Sequence, residues 1–168
     1  MRWSGNRGNG SSIPPQDRIL SILPYLIPLL DSLTFGKYVF QKVPLLSQIL
    51  LVPLLPLYNI YRGIPFLAFG VFLLLFVLVV RNINVSRFIR FNTYQALILD
   101  IALIFPQLFQ GVNLSAAIPA SVTEICTTAV FYAIMMAVSY AAVMNAQGKL
   151  PDEIPALSDS VKQQLGPF

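Results

Sequence analysis

The stretch from Ile64 to Val80 contains no polar side chain. A helix that crosses the roughly 30 Å hydrocarbon core of a bilayer needs about 20 predominantly apolar residues. The composition of the whole chain agrees with such a helix, since 56% of the residues are hydrophobic and only 11% are charged. Soluble domains have roughly 45–50% and about 25%, respectively. The sequence therefore predicts an all-α integral membrane protein.

Three further apolar segments are candidates for crossing the membrane. One of them carries Pro24 and Pro28, which membrane helices tolerate when neighbouring groups satisfy the freed carbonyls. The predicted spans are 19–34, 64–80, 93–110 and 121–144, within a membrane domain from residue 18 to residue 146. We expect a disordered polar N-tail at residues 1–17. The polar C-tail, residues 147–168, is expected to contain one short helix at 156–165.

The apolar stretch 44–58 is interpreted differently from the four spans. Pro44, Pro53 and Pro56 interrupt it, and its uninterrupted part at 45–52 is too short to cross a bilayer. We therefore predict an additional interfacial or re-entrant segment between the first and second spans, with tyrosines following it at headgroup depth.

The basic residues indicate the orientation of the four spans. On one side lie the N-tail, the loop 81–92 and the C-tail, with Arg2, Arg7, Arg18, Arg81, Arg87, Arg90, Lys149 and Lys162. The other side carries Lys37, Lys42 and Arg62. The positive-inside rule then predicts that both termini face the cytoplasm or its organelle equivalent. A fifth span at 44–58 would place the arginines of the loop on the wrong side.

The sequence also argues against several classes of function. It contains one cysteine, Cys126, and no histidine, which argues against a disulfide within the chain, a typical zinc site and histidine-based catalysis. No nucleophile–base pair is recognisable, so we expect neither an enzyme nor a cofactor. The basic residues are dispersed between apolar runs rather than clustered, so we expect lipid and not nucleic acid as a partner.

Polar residues within the spans are the candidates for function, because an ionisable group in hydrocarbon costs at least ~2.5 kcal/mol and tends to face protein or water. On a helical wheel, those of the third and fourth spans each fall on one stripe. The candidates for a polar path or an interhelical seam are Asn92, Gln95, Asp100, Gln107, Glu124, Thr128 and Tyr132. Asp100 stands out because we expect no Lys or Arg at its depth. The first span also has a polar stripe, which includes Tyr25 and Asp31, and the three stripes are expected to face a shared interior or a partner.

Three motifs resemble those of the twenty-kilodalton TIC family of the chloroplast inner-envelope import translocon. The first is Arg87-Phe88-Ile89-Arg90-Phe91-Asn92 followed by Gln95 and Asp100; the second is Gly148 to Pro155 followed by Ser158 to Val161; the third is Asp17-Arg18, Leu23-Pro24-Tyr25 and Leu29-Leu30-Asp31. The resemblance spans residues 15 to 161. Its signature residues in this chain are Arg87, Arg90, Phe91, Asn92, Gln95 and Asp100.

The resemblance implies a membrane subunit of a protein-conducting complex, with other translocon subunits and the translocating preprotein as partners. It implies a location in the plastid inner envelope or a cyanobacterial membrane, with both termini on the stromal or cytoplasmic side. Because the polar N-tail is short, we expect a plastid-encoded or cyanobacterial relative. A non-conducting assembly subunit and a small ion or solute channel are the alternatives, and a homo-oligomer stays open.

Overall fold

The computed structural model describes residues 13–111, 118–154 and 157–165, all helical or irregular without a strand. The helical segments are α1 (Pro15–Lys42), α2 (Pro44–Gly63), α3 (Leu67–Val80), α4 (Arg87–Gly111), α5 (Ala120–Ala146) and α6 (Leu157–Leu165). Four of them, α1, α2, α4 and α5, are long and apolar enough to cross a membrane. The prediction of an all-α membrane protein is confirmed. The expected disorder of the N-tail concerns mainly residues 1–12, which lie outside the described residues.

Helix α1 is longer than predicted and is the centre of the bundle. It covers 28 residues, and 3-10 turns at Leu23–Tyr25 and Leu33–Gly36 interrupt its α-helical geometry. The first turn contains Pro24, which lacks the N–H that a regular α-helix would use. Tyr25 and Phe35 are almost completely buried, because α1 packs against both α4 and α5.

The expectation of a short helical part between residues 44 and 58 is wrong. The segment belongs to α2, a continuous helix of 20 residues that contains a π-helical turn at Ser47–Leu51 and Pro56 in its interior. A π-turn and a proline each omit a regular backbone hydrogen bond without ending the helix. Although α2 is long enough to span a membrane, only Tyr61 of its residues is buried in the bundle, and Leu50, Leu54 and Tyr58 are partly buried against the core. An interfacial position for it stays a prediction.

The second predicted span is shorter than expected, because its first residues do not form helix. Ile64 is extended, and Phe66 adopts a left-handed conformation with φ of 64° before α3 begins at Leu67. This conformation is uncommon for a residue with a side chain. We call residues 63–66 the elbow; all four are exposed. At 1.5 Å per residue α3 is only about 21 Å long.

Contacts along the helices fix their relative directions. Tyr25 contacts Asn92 and Asp31 contacts Asp100. The residue number rises in the same direction along both helices, so α1 and α4 are parallel. Helix α5 runs the other way, since its C-terminal end lies beside Arg18 and its N-terminal end beside Lys42. The start of α1 and the end of α5 therefore lie at the same end of the bundle. Two parallel spans require an odd number of crossings between them.

Helices α2 and α3 together supply one net crossing, with the elbow near its middle. Arg62 at the end of α2 contacts Asp31 of α1, and the C-terminal end of α3 lies beside Arg90 of α4. Asp100, which interacts with Asp31, is about 15 Å along α4 from Arg90 at 1.5 Å per residue. That is half the thickness of a ~30 Å hydrocarbon core. The elbow therefore lies about halfway along the bundle, and a bilayer centred on the bundle would place it near mid-membrane depth.

The C-tail returns to the bundle. Helix α6, which matches the short helix predicted at 156–165, packs against α4, and its Val161 is fully buried. Before it, Gly148 adopts φ of +71°, a left-handed conformation that glycine accepts without strain. The chain can therefore turn directly after α5.

Labelling of single cysteines should report this topology. In a Cys126→Ser background, we expect Asn84→Cys and Lys149→Cys to react with a membrane-impermeant maleimide from one side, and Lys37→Cys only from the other. The reason is the single net crossing between α1 and α4. Reaction of the cysteines at 84 and 149 from opposite sides would contradict it.

The contact of α1 with α5 at Gly36 should tolerate no added methyl group. A Cβ there would overlap Cε2 of Phe40 and lie 2.9 Å from Cε2 of Phe131. We expect Gly36→Ala to lower the free energy of unfolding by about 1–3 kcal/mol through overpacking. Gly70→Ala is the control, since its added methyl group would have nothing within 4 Å. Thermal unfolding in detergent measures both, and equal melting temperatures would refute the tight contact.

Candidate polar site of the helix bundle

Polar side chains inside the bundle form two clusters at different depths. The ionic cluster consists of Asp31, Tyr61, Arg62 and Asp100 and connects α1, α2 and α4. The amide cluster consists of Ser21, Tyr25, Asn92, Gln95 and Asn145 and lies nearer the end where α1 begins. Each cluster connects helices that are distant in sequence, so both clusters fix how the helices pack together.

Asp31 is the centre of the ionic cluster. Its Oδ1 lies 2.8 Å from Nη2 of Arg62, and its Oδ2 accepts a 3.2 Å hydrogen bond from the hydroxyl of Tyr61. The carboxyl of Asp100 interacts with that of Asp31. Among the described atoms, Oδ1 of Asp100 is buried without a hydrogen-bond partner. Asp31 itself is 8% exposed, so these contacts replace most of its hydration.

The ionic cluster contains one more acid than base. Two carboxyl groups face the single guanidinium of Arg62, so charge neutrality requires a proton or a further cation. Separated charges in a bilayer are costly, whereas paired charges and access to water reduce the cost. The expectation that no Lys or Arg lies at the depth of Asp100 is wrong, because the elbow brings Arg62 to mid-depth.

The amide cluster ties both ends of the chain to α4. The hydroxyl of Tyr25 donates to Oδ1 of Asn92 over 3.1 Å, and Nε2 of Gln95 donates to the carbonyl of Pro151 over 3.1 Å. Nδ2 of Asn145 donates to the carbonyl of Ser21 over 3.4 Å. Buried amides that bond backbone carbonyls lock helices together. Asn92 and Gln95, predicted for a path or a seam, are fully buried and bond other segments of the chain.

The arginines of the signature lie around this end of the bundle. Nε of Arg90 donates to the carbonyl of Val80 over 2.9 Å, which closes the loop between α3 and α4. Phe91 is fully buried, and Arg87 begins α4. Arg18 donates to the carbonyls of Ile13 and Ala146. These contacts hold chain segments in place at the end where loops leave the bundle.

The polar stripe of the fourth predicted span does not enter the bundle. The residues that α5 buries are Thr127, Phe131, Ile134, Ala141 and Asn145. Tyr132 is 46% exposed, Thr128 and Glu124 are half-buried or exposed at the surface of α5, and Glu124 pairs with Lys42. Gln107 of α4 is half-buried. The structure therefore does not bring all seven predicted residues together; Glu124, Thr128 and Tyr132 flank the contact with α1.

Sequence reasoning missed several members of the clusters as site residues. Tyr25 and Asp31 were placed on the stripe of α1, but Arg62 and Tyr61 were assigned to a loop and a headgroup region. The available signal was an acid in one apolar helix and an arginine at the end of the next. Only the depth of the elbow, which sequence does not give, pairs them.

The helices and buried polar clusters define a polytopic α-helical membrane protein. Its first helix and its C-tail both bond to α4. Residues 15–161 match the family described as Chloroplast import apparatus Tic20-like, and the chain belongs to this Tic20 family. The resemblance predicted from the three motifs is confirmed.

Three relatives illustrate the range of the family. A Tic20 family protein of Synechocystis sp. is 35% identical over 158 residues, which cover 94% of this chain and 98% of the relative. Protein TIC 20-II, chloroplastic, of Arabidopsis thaliana is 33% identical, covering 95% and 77%. The Tic20 family protein Ycf60 of Porphyra purpurea is 30% identical, covering 90% and 76%. The similarity to the cyanobacterial relative includes nearly the whole of both chains.

The contact between Arg62 and Asp31 should attach α2 to the bundle. Because the guanidinium is partly exposed, with its side chain 37% accessible, we expect Arg62→Gln to cost about 1–3 kcal/mol, between the values of surface and buried pairs. Denaturant titration in mixed micelles measures the loss. Combining it with Asp31→Asn should cost less than the sum of the single changes.

Lys42→Gln provides the matched control for this cycle. Lys42 also pairs with an acid, Glu124, but its side chain is 71% exposed, so its removal should leave the free energy of unfolding nearly unchanged. Additive effects of Arg62→Gln and Asp31→Asn would mean that the pair contributes nothing to stability.

Proposed function

We propose that this protein is a membrane subunit of a protein-import translocon in the plastid inner envelope or an equivalent cyanobacterial membrane. It would contribute polar helix faces to the path of an extended preprotein, with both termini on the stromal or cytoplasmic side. Membership of a family described by the chloroplast import apparatus supports the general role. The exposed polar surfaces of the bundle support the finer one.

The centre of a single bundle is unsuitable for such a path. Leu97, Leu103 and Phe131 are almost completely buried between α1, α4 and α5, and packed helices fill their own core. A conducting role therefore requires a surface that this protein shares with other subunits or with further copies of itself.

The observation that carries the proposal is the exposed elbow about halfway along the bundle. The backbone at Ile64–Phe66 is not helical, and Phe66 is 85% exposed. Non-helical backbone at this depth is tolerated only where protein or water covers it, because lipid cannot hydrogen-bond N–H and C=O groups. Arg62 and the surplus carboxyl of the ionic cluster lie next to it. An extended polypeptide in a hydrated path meets this requirement.

The stripe of α5 offers a second surface of this kind. Glu124, Thr128 and Tyr132 lie on one side of the helix, outside its buried face. Side chains of this type cost less against a polypeptide backbone than against acyl chains, since they can exchange hydrogen bonds with it. The stripe is therefore the expected second contact of a preprotein or of a neighbouring subunit.

A non-conducting assembly subunit is the second candidate. The burial of Asn92 and Gln95 favours it, because these signature residues are fully enclosed and bond other parts of the same chain, out of reach of a substrate. Under this alternative the elbow and the stripe of α5 would contact resident subunits permanently.

Site-specific photocrosslinking during import distinguishes the two candidates. Photoreactive residues at Asn59 beside the elbow and at Thr128 should form adducts with a preprotein arrested in transit, since both positions border the proposed path. Cys126 is the control on α5, because it is exposed and, two residues from Thr128, lies about 160° away around the helix. Adducts that depend on the arrested preprotein at 59 and 128, but not at 126, are the expected result.

Two outcomes would contradict the conducting role. Crosslinks from Asn59 and Thr128 to resident subunits alone, unchanged by the arrested preprotein, would indicate the assembly role. Equal preprotein adducts at all three positions would indicate that the chain surface makes no selective contact.

A further inference from the structure

An apolar groove of about 740 Å³ lies between α1, α2, α3 and the start of α4. Leu23 and Ile27 of α1, Leu57 of α2 and Val71 of α3 are among its walls. Its volume is within the roughly 300–1,000 Å³ typical of ligand sites. In a membrane such a groove borders hydrocarbon. Its apolar walls offer water few hydrogen-bond partners, so filling it with water is unfavourable.

The groove is elongated and has one polar end. Its wall on α3 extends from Leu67 to Val79, about 18 Å at 1.5 Å per residue. Asn84 and Ser86 of the following loop line one end, and the apolar side chains continue from there towards the elbow. A slot parallel to the helices with a polar mouth matches the shape of one acyl chain below a headgroup.

The loop next to the mouth carries positive charge. It includes Arg81, and the segment 81–99 contains no acidic residue. Arg81 is exposed in the same loop as Asn84. Basic residues next to interhelical pockets bind anionic lipid headgroups. We propose that the groove binds one acyl chain of an anionic glycerolipid, whose phosphate lies at the 81–90 loop. This lipid site is independent of the proposed function, because it concerns resident lipid and not a translocating chain.

Native mass spectrometry of the purified full chain tests the site. The protein is equilibrated in micelles containing equal amounts of phosphatidylglycerol and phosphatidylcholine with identical acyl chains. We expect one retained lipid per chain, and phosphatidylglycerol over phosphatidylcholine by about five-fold for one arginine near the headgroup. Arg81→Gln should remove this preference, and Lys37→Gln, at the other end of the bundle, should keep it.

A pair of identical substitutions on α3 tests the groove itself. Val71→Phe places a ring in the groove and should lower lipid retention about ten-fold, because the ring occupies the space of the acyl chain. Val77→Phe is the control, since Val77 is exposed outside the groove and should retain the lipid. Leu23→Phe repeats the test from α1 if Val71→Phe does not fold, as judged by its melting temperature.

Equal retention in the Phe variants at 71 and 77 would overturn the groove as the binding site. Absence of a headgroup preference in the unmodified chain would overturn the anionic lipid. In native membranes a photoreactive residue at Leu57 should crosslink to lipid; crosslinks to another protein chain instead would assign the groove to a subunit contact and overturn the proposal.

Discussion

The structure depends on satisfying polar groups inside a membrane, and Asp31 does this for three helices at once. It pairs with Arg62 of α2, accepts the hydroxyl of Tyr61 and interacts with Asp100 of α4. These contacts add to the partial packing of Leu50, Leu54 and Tyr58 against the core, which also holds α2 to the bundle. The ionic cluster therefore fixes the position of the elbow. The elbow divides the chain between α1 and α4 into two helices, the exposed α2 and the short α3.

The two polar clusters have different physical roles. The amide cluster is neutral, and its exposed area is nearly zero. Its hydrogen bonds to the carbonyls of Ser21 and Pro151 hold α1 and the C-tail against the bundle. The ionic cluster has a surplus carboxyl and borders exposed, non-helical backbone. The first gives the amides Asn92 and Gln95 of this chain a structural role, and the second borders the elbow, where we propose contact with water or protein.

Much of the fold followed from the sequence, because hydrophobic length is the dominant constraint in a bilayer. Helices α4 and α5 lie within a few residues of their predicted spans, except that α4 begins earlier, at Arg87. The prediction for residues 44–80 was less successful. Three prolines suggested a short helix, but a proline near the start of a helix and a π-turn both leave it continuous. The break occurred instead at Ile64 and Phe66, where the apolar pattern gave no signal.

The candidate site was predictable only in part, because the sequence gives the faces of single helices but not how the helices pack. Wheel positions identified Asn92, Gln95 and Asp100 because a helix repeats regularly, but they did not give the depth of Arg62 or the face that α5 buries. These depend on which helices pack together.

The most direct measurement is the identity of the neighbours of Phe66 in native membranes. A diazirine-bearing residue at position 66 produces a carbene that inserts into water, protein or acyl chain, and each adduct has its own mass. We expect water and protein adducts at 66, in contrast to lipid adducts at Leu74, which is exposed on α3. Predominantly lipid adducts at both positions would contradict a covered elbow, because they would place its non-helical backbone directly in hydrocarbon.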